Sequence, residues 1–234
     1  MAATDDLQSV LRTSSERLFP SFRDPNYLVL SKRRKLFDSW LAAIPKTHLE
    51  VLDVGGRLQP YRPLLEKRAR HYVAVDVQHT PLVTVMARGE ELPFSDRRFD
   101  LVICTQVLQW VREPLKLLGE IHRVLKPDGH LLLSASAAEP LSTELDYWRF
   151  TPASLRWLLR DFSEVEIKPE GNTVAGFFRT TNVCVDIFAK FKLLRAAFSF
   201  TLVPMLNAMG VVAERISGSR NHQFSVNYSV FARK

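Results

Sequence analysis

The sequence predicts an α/β fold, a parallel sheet covered by helices. Four short apolar runs bounded by turn residues, "LEVLDVG" (49–55), "HYVAVDV" (71–77), "FDLVICT" (99–105) and "HLLLSAS" (130–136), fit strands buried on both faces. A helical pattern separates the third run from the fourth, and strand–helix–strand repetition implies parallel pairing. At 234 residues, with 46% hydrophobic and 24% charged, the chain can bury a core as one large domain or one domain with an elaboration.

The elements follow in order. Leu30, Leu36, Phe37, Trp40 and Leu41 can share one face of a helix over 27–43, within an N-terminal helical cap of residues 1–48. The main domain then runs over 49–234. Its first strand ends at Asp53 and runs into Gly55-Gly56, and a helix is expected before the second strand, which ends at Asp76. In "EPLKLLGEIHRVLKPDG", Leu115, Leu118, Ile121 and Leu125 recur at helical spacing; Pro114 suits the first turn and Pro127-Asp128-Gly129 stops it. In "FTPASLRWLLRDF", Thr151 caps a helix, Pro152 takes its first position, and Leu155, Leu158 and Leu159 make the buried stripe. "EVEIKPE" (164–170) and "QFSVNYSVFAR" (223–233) alternate as strands do.

Between those last strands lies a hydrophobic helical insertion at about 173–218. From Ala196 to Ala213 the chain carries no charge, a stretch at the lower edge of what could span a bilayer. Pro204 and the flanking strands argue against a span. Two short helices within 183–216, lying on a membrane or capping a substrate site, fit better; an extra core layer or a homodimer face is the alternative.

A net charge of +7 admits nucleic acid, an anionic membrane or an acidic small molecule as partner. The run Lys32-Arg33-Arg34-Lys35 reads most simply as a solvated helix face. No "NPPY"-type motif or aromatic-interleaved basic tract accompanies it, so no nucleic-acid partner is expected. Cys104 and Cys184 lie in apolar surroundings without ligand spacing and read as reduced thiols of a cytoplasmic protein. The charged N-terminus lacks the apolar region of a secretory signal. The six histidines are scattered, and no metal site is expected.

The chemistry gathers at the strand ends. Glycine at 55 and 56 lets backbone approach a ligand and permits a positive φ. A carboxylate at Asp76, closing the second strand, can accept both hydroxyls of a ribose. A nicotinamide-dependent reductase would want G-x-G-x-x-G, which "GGRLQP" fails, and none of the five tyrosines has a lysine four residues later.

Asp53-Val54-Gly55, Asp76, "ELPFSDRRFDLVICTQVLQWV" and "LKLLGEIHRVLKPDGHLLLS" together resemble the S-adenosylmethionine-dependent class I methyltransferases, specifically the type 11 group. The resemblance is close over roughly 49–136. "DYWRFTPASLRWLL" resembles, more softly, methyltransferases of surface-polysaccharide or glycan pathways. It implies a Rossmann-like sheet, mostly parallel with the last strand antiparallel, helices on both faces and a helical insertion before that strand. It also implies S-adenosyl-L-methionine as cofactor, with Asp53, Gly55 and Gly56 forming the loop beside its methionine part. Asp76 would hold the ribose, Glu91 and Leu92 would lie beside adenine, and Thr105 and Gln106 would lie beneath the sulfonium. Four positions depart from the pattern: Arg57 and Gln59 replace glycines, Arg88 stands where an aspartate often accepts from the adenine amino group, and Trp110 stands where a histidine is common. Arginine cannot accept a hydrogen bond, so that contact would pass to Glu90 or Glu91.

Methyl transfer is an in-line displacement in which the protein aligns the acceptor and removes its proton when needed. The stretch "ELDYWRF" follows the fourth strand, making Asp146 and Tyr147 the candidate catalytic residues, with His222 a lesser one. Arg149 could position an anionic acceptor or pair with Asp146. The expected function is methyl transfer to a small-molecule, glycan or lipid-linked acceptor, with peripheral membrane contact through 183–216. A turnover-deficient, membrane-peripheral binding protein of the same fold is the alternative.

Overall fold

The computed structural model describes residues 6–65, 67–141, 143–188, 191–218 and 223–234. Seven strands form one sheet: β1 (Leu49–Val54), β2 (Ala69–Asp76), β3 (Val85–Met86), β4 (Phe99–Thr105), β5 (Leu125–Ser136), β6 (Glu164–Pro169) and β7 (Asn227–Arg233). Their order is β3-β2-β1-β4-β5-β7-β6, and β7 alone runs antiparallel to its neighbours. The expected Rossmann-like sheet is the one that forms.

Alternate residues of the central strands feed two cores. On one face Leu52, Val54, Val102, Cys104, Leu131 and Leu133 pack under α3 (Pro114–Val124) and α4 (Pro152–Leu158). On the other, Leu49, Val51, Leu101, Ile103 and Leu132 meet Phe37, Trp40 and Leu41 of α2 (Tyr27–Ala43), with α1 (Leu7–Leu18) contributing Leu18. Burial on both faces explains why these strands read as continuous apolar runs. Thr151 closes a capping box with Ser154 at the start of α4, Pro152 taking the first turn as expected.

Local expectations fail where special residues intervene. Among the described residues no α-helix joins β1 to β2; Pro60 and Pro63 remove amide donors there, and a 3-10 turn forms over Arg62–Leu65. Leu115 is exposed, and the buried stripe of α3 is Leu117, Leu118, Ile121 and Val124. Pro127-Asp128-Gly129 does not follow a helix stop at a distance. The chain enters β5 directly at Leu125, and the register shift between Phe99 and Leu101 absorbs the extra residues.

Among the described residues the insertion before β7 holds α5 (Thr173–Phe188), α6 (Lys192–Phe200) and α7 (Leu202–Ser217), the last two lying where two short helices were expected. Read end to end, Lys192–Ser217 has the length and apolar composition to cross a membrane, but the helix is interrupted at Thr201. A Cβ at Gly210 would come within 2.6 Å of Leu28, so α7 crosses α2 closely. Asn207 is fully buried and donates to the carbonyls of Phe22 (2.9 Å) and Asp24 (3.0 Å), while Asn182 of α5 donates to its Oδ1. The outer faces of α6 and α7 carry Phe191, Leu193, Phe200, Met205 and Ile216 in solvent.

The basic run of α2 is not a solvated face. Arg33 is buried and pairs with Glu170, just beyond β6, at 2.8 Å through both Nε and Nη2. Lys32 pairs with Glu214 of α7, and Arg34 lies over the Phe19 ring.

Candidate active site

Strand order reverses beside β1, which has β2 on one side and β4 on the other. Ligands of open α/β sheets gather at the carboxyl ends of strands at such a point. A cleft of about 950 Å³ opens there, lined by Gly55, Asp76, Glu90, Thr105, Gln106 and, on its far side, Glu139 and Tyr147.

The glycine turn is fixed from below. Both its amides donate to the carbonyl of Val75, at 2.8 and 3.1 Å. Gly55 has φ +78° and a Cβ there would run into Val107. At Gly56 a Cβ would lie 2.8 Å from the Asp53 carbonyl oxygen and 2.9 Å from its carboxyl carbon. Asp53 is therefore tucked under the loop, where the Tyr72 hydroxyl donates to its Oδ2 at 2.6 Å. Burial raises its carboxyl pKa to about 7, against the lowering effect of that hydrogen bond, and the charge of Asp76 adds to the rise.

The two departures in the loop keep its shape. Arg57 turns along the rim, its Nη1 donating to Gln78 at 2.8 Å, and its carbonyl accepts from Thr80. Gln59 adopts a glycine-like φ of 50° and is buried. Its amide donates to the Leu82 carbonyl and accepts from Arg62, which holds the loop where a flexible residue would not.

Asp76 accepts from the Gln78 amide through Oδ1 at 2.8 Å, leaving Oδ2 without a partner among the described residues. Thr105 and Gln106 close the floor, Gln106 in the left-handed region at φ 57°. Such a conformation in a non-glycine residue needs surrounding structure to hold it. The Gln106 amide donating to the Ser134 carbonyl at 2.8 Å supplies part of that.

On the adenine side the structure separates two neighbours. Glu90 lines the cleft and is contacted by Arg88 at 3.4 Å; Glu91 turns outward to Lys116 at 2.9 Å and does not line it. Leu92 lies in the core beneath, its amide donating to Glu120.

The acceptor side divides likewise. Tyr147 lines the cleft and accepts from Arg112 Nε at 3.1 Å. Asp146 does not line it. Both its carboxylate oxygens take hydrogen bonds from Arg149, at 2.5 and 2.7 Å, and little of the side chain meets solvent. His222 lies outside the described residues.

Two cleft residues escaped the sequence reading. Gln109 is buried, and its Oε1 has no hydrogen-bond partner among the described residues. Glu139 accepts at Oε1 from Arg179 (2.7 Å) and Asn227 (3.2 Å), with no partner at Oε2 among the described residues. Its place three residues past β5 was the available signal.

A half-free carboxylate at a second-strand end, a glycine turn without side chains, and the unpartnered Oε1 of Gln109 at the floor suit a cationic adenosyl cofactor. The sheet order and the place of this cleft are those of the class I methyltransferase fold. The family described as a methyltransferase domain, type 11, matches residues 52–133.

A malonyl-[acyl-carrier protein] O-methyltransferase of Coxiella burnetii is 36% identical over 98 residues, 39% of this chain and 35% of that protein. An arginine-hydroxylase, NDUFAF5, of Mus musculus is 37% identical over 82 residues, 35% of this chain and 22% of that protein. The matched segments thus span about a third or less of those relatives. Among solved structures, a Burkholderia thailandensis 1,6-didemethyltoxoflavin-N1-methyltransferase with bound S-adenosylhomocysteine aligns over 100% of this chain and 91% of its own. That alignment has a TM-score of 0.55 at 20% identity.

Proposed function

We propose that the chain transfers a methyl group from S-adenosylmethionine to a small amphipathic acceptor, glycan or lipid-linked, at a membrane surface. The observation that carries the first part is the cleft that places Asp76, Gln106 and Gly55 around one cavity at the switch point. The cofactor supplies an electrophilic methyl carbon; the chain's residues bind and orient. Gly55 and Gly56 bring backbone close, Asp76 accepts from ribose hydroxyls, and Glu90 provides the acceptor that Arg88 cannot.

Tyr147 already accepts from Arg112, so its own hydroxyl proton is available to an acceptor molecule. Asp146, committed to Arg149, acts by holding the turn on which Tyr147 stands. Where the acceptor must lose a proton, Glu139 Oε2 is the base that the cleft offers.

The amphipathic acceptor rests on α6 and α7. Apolar side chains are exposed there, and a cavity between α5 and α6 is bordered by Lys192 and Arg195, a combination suited to an anionic leaflet. A cytoplasmic protein with peripheral membrane contact is the corresponding location.

Incubating the protein with methyl-labelled S-adenosylmethionine and fractionated cell extract tests the reading. Label should enter the lipid and glycolipid fraction. Label confined to water-soluble metabolites would remove the amphipathic acceptor, and no cofactor turnover with any fraction would favour the non-catalytic binding protein.

A further inference from the structure

We infer that Glu170 is a positioning residue: through Ser134 it fixes which way the Gln106 amide faces, and so makes the cleft floor favour a positively charged sulfur. The inference rests on the cofactor reading above.

Glu170, the ion-pair partner of Arg33 at 2.8 Å, offers only acceptors. Two buried hydroxyls reach its Oε1, Ser134 Oγ at 2.7 Å and Ser229 Oγ at 2.6 Å, so both serines donate there. A serine has one proton to give. Having given it, Ser134 Oγ can meet Gln106 Nε2 at 2.9 Å only as an acceptor. The amide nitrogen of Gln106 must therefore face Ser134.

A second chain reaches the same result. Glu139, held by Arg179, accepts from Asn227 Nδ2 at 3.2 Å, which turns Asn227 Oδ1 toward Gln106 Nε2, also at 3.2 Å. Both amide protons of Gln106 are then spent on the protein. Its Oε1 is left toward Gln109, whose Nε2 approaches it at 3.3 Å while Gln109 Oε1 stays unpartnered among the described residues. Gln106 and Gln109 both line the cleft. The floor thus holds two amide dipoles beneath the place of a sulfonium, with Gln106 Oε1 accepting from Gln109 and Gln109 Oε1 buried without a partner among the described residues, and a neutral thioether gains less from them.

The arginines that make these glutamates tolerable inside the protein come from α2 (Arg33) and α5 (Arg179). The N-terminal helix and the insertion thereby serve the cleft floor without lining it at those residues.

The test compares dissociation constants for S-adenosylmethionine and S-adenosylhomocysteine by calorimetry in wild type, Ser134→Ala, Ser229→Ala and Glu170→Gln. Ser134→Ala leaves Asn227 alone to hold the Gln106 amide, and the preference for the sulfonium form over the thioether should fall about fivefold. Ser229→Ala removes an equivalent hydrogen bond from the same glutamate oxygen but has no link to Gln106, and should leave the ratio within about twofold of wild type. Glu170→Gln should shift the ratio as Ser134→Ala does; should it fail to fold, the serine pair decides alone. Equal loss of both ligands in Ser134→Ala, or the same ratio change in both serine variants, would overturn the inference while leaving the cofactor reading intact. Wild type binding neither ligand would overturn both.

Discussion

Asp53 gives the sharpest quantitative expectation. Its carboxyl is buried under Gly56, and burial lifts its pKa from 3.8 to about 7. The folded state therefore keeps the proton over a range in which the unfolded chain has released it. Stability is unaffected by this group below the unfolded value. It falls as pH rises through the interval between the two, and levels off once the folded carboxyl ionises. Three units correspond to roughly 4 kcal/mol, an upper figure because any local relaxation reduces it. Asp53→Asn keeps an acceptor for the Tyr72 hydroxyl but removes the titration. Urea unfolding of wild type and variant from about pH 4 to about pH 8 isolates the effect, since all other groups are shared. The wild type should lose several kcal/mol more than the variant across that window. Parallel curves would refute the reasoning, and a variant that loses more would reverse its sign.

Three other outcomes follow from packing and charge. Gly56→Ala forces a methyl against the Asp53 carbonyl and Ala74, and should cost about 1–3 kcal/mol in urea unfolding together with weakened S-adenosylhomocysteine binding. Arg33→Met leaves Glu170 buried without its cation and should destabilise by about 3–5 kcal/mol, whereas a solvated arginine would cost almost nothing. Leu193→Glu with Ile216→Glu places charge on the exposed faces of α6 and α7. The double variant should lose flotation with phosphatidylglycerol-containing vesicles and keep its affinity for S-adenosylhomocysteine; unchanged flotation would remove the membrane contact.

Much of the frame was legible because burial on both sheet faces writes continuous apolar runs, and β1, β2 and β4 lie close to where those runs predict. Before β2 the expected order of elements implies a helix that Pro60 and Pro63 disfavour, and a 3-10 turn stands there instead. Asp76 and Gly55 are legible from the strand ends, whereas Gln106 is legible only through the family resemblance.

Side-chain direction was not legible. Glu90 and Glu91 are neighbours, and only Lys116 on α3 draws the second away from the cleft. The pairing of Asp146 with Arg149 was open in the sequence, and the local turn decided it. Arg33 carried no local signal at all. Four consecutive cations on a helix cover all its faces, so one meets the core, but its partner lies 137 residues along the chain.

A crystal structure with S-adenosylhomocysteine bound tests the central claim most directly. The ribose hydroxyls should lie on Asp76 and the thioether above the Gln106 side chain, with Arg57 still at the rim beside Gln78. A ligand seated elsewhere, or the Arg57 guanidinium folded into the cavity in its place, would contradict it.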